Sequence, residues 1–138
     1  MTRRNKFRLA VSWWKSINGG PGHLSRDGAP LPWQDSVPSS PSSLAGSYNF
    51  RAIRNLVFES VEREAGIQVL LQKLSATPMA VTYEDFIADY EGTVRAVLSH
   101  LGVSDDVPRV PAPLPTMTSD DINEDWLHRF RKDLNRQT

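Results

Sequence analysis

Arg3 and Arg4 stand immediately ahead of Asn5, a residue type suited to capping a helix, and Ser12 follows Arg4 by eight positions. On a helix starting at Asn5, eight residues are about two turns. The free backbone N–H groups and the dipole at a helix start attract anions. A phosphate placed there would meet the Arg4 guanidinium while the Ser12 hydroxyl reached in from along the helix. The same residues also fit a solvated basic helix end, and spacing alone favours that plainer reading. Other chemistry is sparse. Glu84 and Asp85 are adjacent carboxylates open to acid–base work, but Thr82 and Asp85 also have the spacing of a capping box. His23, His100 and His128 are scattered without metal-ligand spacing, so no metal is expected. Neither a GxxxxGK[ST] nor a GxGxxG loop is present.

Composition bounds the answer further. The 138 residues carry 16 basic and 16 acidic side chains, so no net field recruits nucleic acid or a membrane surface. Hydrophobic content of 39% and charge of 23% suit a globular protein of a single domain. Cysteine is absent, which excludes disulfides and thiol chemistry. The apolar run from Leu9 to Trp14 is short and interrupted by Ser12, unlike a signal peptide or a membrane span, and the expected location is the cytoplasm.

The elements that must position Arg4 and Ser12 follow from periodicity. Phe7, Ala10, Val11, Trp14 and Ile17 recur at helical spacing, with Arg8, Ser12 and Lys15 on the other face, and Gly19 and Gly20 end the helix. Residues 19–47 are rich in glycine, proline and serine and read as a long loop, with Trp33 as its anchor. A long helix follows on the stripe Phe50, Ile53, Val57, Val61 and Ala65, extended by Leu70, Leu71 and Leu74, with a bend expected at Gly66. Met79 to Val81, entered through Pro78, is the short apolar run of a buried strand. A helical turn is expected over Tyr83 to Ala88. Asp89 then caps a helix whose stripe is Val94, Val97, Leu98 and Leu101 and which Gly102 stops. Pro108, Pro111, Pro113 and Pro115 force an extended connector, and a last helix buries Trp126, Leu127, Phe130 and Leu134.

On these residues the chain resembles a known family. RRNKFRLAVSWWKS is similar to the 3′-phosphate-binding segment of sulfotransferases that use 3′-phosphoadenosine-5′-phosphosulfate (PAPS), in which an arginine precedes A-V-S and the serine lies eight residues on. TYEDFIADYEGTVRAVLSHLGV resembles the Y-E-D-L…D-P-x-G-T-V…L-x-F-L-G-V stretch of the bacterial trehalose 2-sulfotransferase branch. INEDWLHRFRKDL resembles that branch's C-terminal tryptophan-and-arginine helix, and the three matches occur in the family's order. Where the family has proline this chain has Tyr90, and between Leu114 and Asp120 it lacks the basic residue often found there.

The resemblance implies an α/β fold, the C-terminal part of a P-loop-like sulfotransferase domain, helix-rich as truncated, with residues 1–138 forming a partial domain. It implies transfer of a sulfuryl group from PAPS to a carbohydrate hydroxyl, with Arg4 and Ser12 holding the 3′-phosphate. It also implies a nucleotide donor, a sugar acceptor and a separate N-terminal half as partners. The family's P-R-S-G-S-T-like phosphosulfate loop and its base have no counterpart in the sequence, so the isolated chain is expected to be inactive. The alternatives are a non-catalytic adenosine 3′,5′-bisphosphate-binding module and a degenerate fragment acting through protein contact.

Overall fold

The computed structural model describes residues 2–19, 44–103, 110 and 121–137, together with the backbone of 24–25 and 115–116. Among these the elements run α1 (Lys6–Ile17), β1 (Leu24–Ser25), α2 (Phe50–Lys73), α3 (Tyr83–Ala88), α4 (Tyr90–His100), β2 (Pro115–Thr116) and α5 (Asp121–Asn135). The chain divides into two compact units, Asn5–Val61 with Leu114–Thr138, and Met1–Arg4 with Glu62–Pro113. No helix among the described residues is long and apolar enough to cross a membrane.

The first of these units is built on α1, the first half of α2, and α5. Asn5 caps α1 as its residue type implies, its side-chain oxygen accepting the Arg8 N–H at 3.0 Å. Asn49 does the same for α2 by accepting the Ala52 N–H at 3.0 Å. Ala10 and Val11 of α1, Ile53 and Leu56 of α2, and Trp126, Leu127 and Phe130 of α5 form one buried cluster. Aromatic edges lock it. Phe7 meets Phe130 edge-on at 5.4 Å between centroids, and Tyr48 meets Trp126 at 6.4 Å. Full burial of such a side chain is worth about 1.5–3 kcal/mol, so this cluster is where the unit's stability resides. β1 and β2 pair antiparallel, Leu24 opposite Thr116.

Several expectations fail here for one reason: periodicity gives a face, and the neighbours decide how much of it is covered. Lys15, placed on the solvent side of α1, is 2% exposed, while Ile17 of the apolar stripe is 57% exposed. On α2 the buried residues are Ile53, Leu56 and Ser60, and Val61 and Ala65 are exposed instead of buried. Leu134 is only half-buried. Leu44, in the stretch read wholly as loop, is buried in a short helical turn. The helix continues through Gly66 to Lys73. Trp33 and most of the 19–47 loop lie outside the described residues, as do Pro108, Pro111 and Pro113.

The second unit contains the stretch whose local signals agree best. Thr82 accepts the Asp85 N–H at 3.3 Å to start α3, and Asp89 accepts the Gly92 N–H at 2.9 Å to start α4. A Cβ on Gly92 would meet the Asp89 carboxylate, so a larger residue here would have to shift the capping side chain. At the other end Gly102 has φ +69°. Its N–H bonds the Ser99 carbonyl while that of Val103 bonds Leu98, each at 3.0 Å, the paired closure of a Schellman motif.

The strand expected at Met79–Val81 is not formed. One parallel bridge joins Thr2 to Thr82, through Thr2 N–H to the Val81 carbonyl at 2.9 Å and Tyr83 N–H to the Thr2 carbonyl at 2.8 Å. A strand exists only through its neighbours, and the single bridge at Thr2 supplies two bonds. The expected stripe on α4 is not a buried one either: Val94, Val97 and Leu98 are half-buried and Leu101 is 67% exposed. The described residues are therefore helix-rich, and the parallel sheet that an α/β reading requires is not formed among them.

Candidate functional site

Arg4 is the centre of the candidate site. It follows Thr2, whose backbone is fastened between Val81 and Tyr83 and whose hydroxyl donates to the Glu64 carboxylate. Arg3 lays its guanidinium over the Tyr83 ring at 4.1 Å. The chain thus arrives at Arg4 held on both sides. The Arg4 backbone N–H donates to Glu84 Oε2 at 3.0 Å, and its Nη2 donates to Asp85 Oδ2 at 2.7 Å. That same carboxylate oxygen accepts the Thr82 hydroxyl at 2.6 Å.

Electrostatics follow from these contacts. The hydrogen bond from Thr82, and then that from Arg4, hold the Asp85 carboxyl below the usual carboxylate range, so it is ionised at neutral pH. Two arginines and two carboxylates meet along the Arg3–Arg4 and Glu84–Asp85 segments, leaving no net positive charge there. Among the described residues, Arg4 makes no bond through Nε or Nη1. The side chain is 61% exposed, so the guanidinium is open to an anion from solvent.

Ser12, the other expected ligand, lies half-buried in the middle of α1. It belongs to the unit beginning at Asn5, whereas Arg4 closes the N-terminal segment of the other unit. What the structure brings to Arg4 is the pair Glu84 and Asp85. In the sequence these residues read as acid–base or capping groups. Asp85 does take part in the turn with Thr82, but its tie to Arg4 spans 81 positions and left no local signal. Lys15 sits one turn beyond Ser12, and its burial could not be read from its charge.

His100 and His128 are exposed, and His23 lies outside the described residues. Among the described residues no three His, Cys, Asp or Glu side chains gather as a metal ion would need. Among the described residues the arrangement presents an exposed arginine beside two carboxylates.

No curated protein and no solved structure matches the chain. A family model described as Stf0 sulphotransferase matches residues 1–133, nearly the whole length, and the chain belongs to that family.

Proposed function

We propose that this chain provides the 3′-phosphate-binding part of a PAPS-dependent sulfotransferase whose acceptor is a carbohydrate hydroxyl. The observation that carries the reading is the Arg4 side chain: an exposed guanidinium on a fastened segment, with Nη2 on Asp85 and no other hydrogen bond among the described residues. A planar fork of this kind suits a phosphate, and a lysine would not reproduce it. Ser12 adds a neutral hydroxyl donor in the same reading. PAPS, when bound, supplies the activated sulfuryl group, and Arg4 and Ser12 hold its far end. Their task is binding and orientation.

The 138 residues contain no P-R-S-G-S-T-like segment to hold the phosphosulfate, so we assign this chain binding and leave transfer to a partner half. Calorimetric titration with adenosine 3′,5′-bisphosphate tests the reading. A charge-assisted bond is worth about 1.5–3 kcal/mol and a neutral one about 0.5–1.5 kcal/mol, with the lower figures applying to so exposed a side chain. Arg4→Ala is expected to weaken binding roughly tenfold and Ser12→Ala less. Binding that survives Arg4→Ala unchanged removes Arg4 from the site.

A further inference from the structure

The contact between Arg4 and Asp85 bears on how that site fills. Asp85 Oδ2 lies 2.7 Å from Nη2 of Arg4. In a guanidinium, Nη2 belongs to both edges that can grip an anion bidentately, the pair Nη1–Nη2 and the pair Nε–Nη2. A carboxylate on Nη2 therefore occupies one edge and borders the other. A phosphate on the first edge must displace Asp85, and a phosphate on the second shares Nη2 with an ionised carboxylate of the same sign. Asp85 is held in this place by the Thr82 hydroxyl on the same oxygen, and Thr82 is bridged to Thr2. Glu84 adds a second carboxylate at the Arg4 backbone N–H. Both side chains of the pair are largely in water, 61% and 57% exposed, so exchange needs no opening of a core.

We propose that Asp85 is an internal competitor for the anion at Arg4, an autoinhibitory contact that a bound phosphate must exchange. The inference rests on the reading of Arg4 as a phosphate ligand. It places the arginine, before ligand arrives, in a neutralised pair instead of leaving an open cation to collect any passing anion. The cost of the exchange is set by an exposed ion pair and is accordingly modest.

The test is a titration of wild type, Asp85→Asn, Asp85→Ser, Arg4→Ala and the Arg4→Ala/Asp85→Asn double variant with adenosine 3′,5′-bisphosphate and with adenosine 5′-phosphate. Circular dichroism checks that each variant is folded. The backbone N–H of residue 85, which donates to the capping Thr82 hydroxyl, is kept in both substitutions at Asp85. Asp85→Asn and Asp85→Ser are each expected to tighten the bisphosphate by about two- to fivefold. Adenosine 5′-phosphate, which lacks the 3′-phosphate, is expected to be unaffected. On the Arg4→Ala background the gain disappears, because there is no longer a cation to compete for. Unchanged or weaker binding in the Asp85 variants, with Arg4→Ala still harmful, overturns the competitor and makes Asp85 a support of Arg4. Equal binding by wild type and Arg4→Ala, or no binding by any form, overturns the reading of Arg4 and this inference with it.

Discussion

Arg8 and Glu124 face one another through a two-pronged ion pair, Nη1 to Oε1 at 2.6 Å and Nη2 to Oε2 at 2.9 Å. Arg8 is in the first turn of α1 and Glu124 in the first turn of α5, so the fork joins the two helices that enclose the Phe7–Phe130 contact. Both side chains are well exposed, 39% and 53%, which keeps the pair weak despite its geometry. Arg8→Lys loses the fork but keeps the charge. It is expected to cost about 0.5–1 kcal/mol in urea unfolding at low salt, and less at 1 M salt, where exposed charges are screened. A cost that does not fall with salt assigns the loss to packing of the arginine stem.

Tyr48 donates its hydroxyl to Asp133 at 2.8 Å, with the Arg129 guanidinium over its ring at 4.2 Å. Burial, and then the Asp133 carboxylate, push the phenol well above its ordinary value of 10.0. The fold therefore favours the neutral phenol over the phenolate. Its contribution is fully present below the unfolded value and declines as pH rises beyond it towards the higher folded value. Stability is expected to fall above about pH 10 in a step that Tyr48→Phe removes. That variant also loses a hydrogen bond to a charged acceptor, at about 1.5–3 kcal/mol near neutral pH. Denaturant unfolding across the alkaline range, read for both forms, checks the sign and the size.

What could be read from the sequence was whatever is decided within a few residues. Asn5, Thr82, Asp89 and Gly102 do as helix ends what their types imply, because a cap needs only its own turn. Trp126, Leu127 and Phe130 were legible too, since three large apolar residues on one face of a charged helix leave no alternative inside. The failures are all questions of coverage. Val61, Ala65 and Leu101 keep helical phase with their neighbours and stay exposed because no element among the described residues packs over them, while Lys15 is covered although it is charged. The candidate site divides in the same way. Arg4 drew notice through its spacing to Ser12, a pairing the described contacts do not test, whereas its partner Asp85 depends on the bridge between Thr2 and Thr82, a long-range pairing that neither segment encodes alone.

Trp126 is fully buried, and among the described residues its indole N–H has no hydrogen-bond partner. A buried donor left unmet costs about 1–3 kcal/mol, which offsets part of what the ring contributes by packing. Trp126→Phe removes that donor together with some ring volume, and the two changes oppose each other. It is expected to lie within about 1.5 kcal/mol of wild type, whereas Trp126→Ala, which opens a cavity beside Tyr48, loses about 3–5 kcal/mol. If Trp126→Phe costs as much as Trp126→Ala, the indole N–H is engaged in the native protein.

Gly66 and Gly102 give a matched pair of opposite sign. Chain neighbours and the helix's own backbone aside, neither has a described heavy atom within 4 Å of where a Cβ would stand, so tertiary packing does not enter for either. Gly66 is inside α2, where alanine restricts the unfolded chain and favours the helix by about 0.5–1 kcal/mol. Gly102 has φ +69° in the closure that stops α4, and an L side chain there brings Cβ against the following carbonyl oxygen at about 1–2 kcal/mol. Gly66→Ala is expected to stabilise and Gly102→Ala to destabilise, each by about 1 kcal/mol in urea unfolding of the whole chain. Hydrogen exchange at the amides of Gly102 and Val103, which make the two closing bonds, should quicken in Gly102→Ala alone. Destabilisation by both substitutions would mean that Gly66 is in contact with something, and stabilisation by both that residue 102 does not hold the left-handed turn.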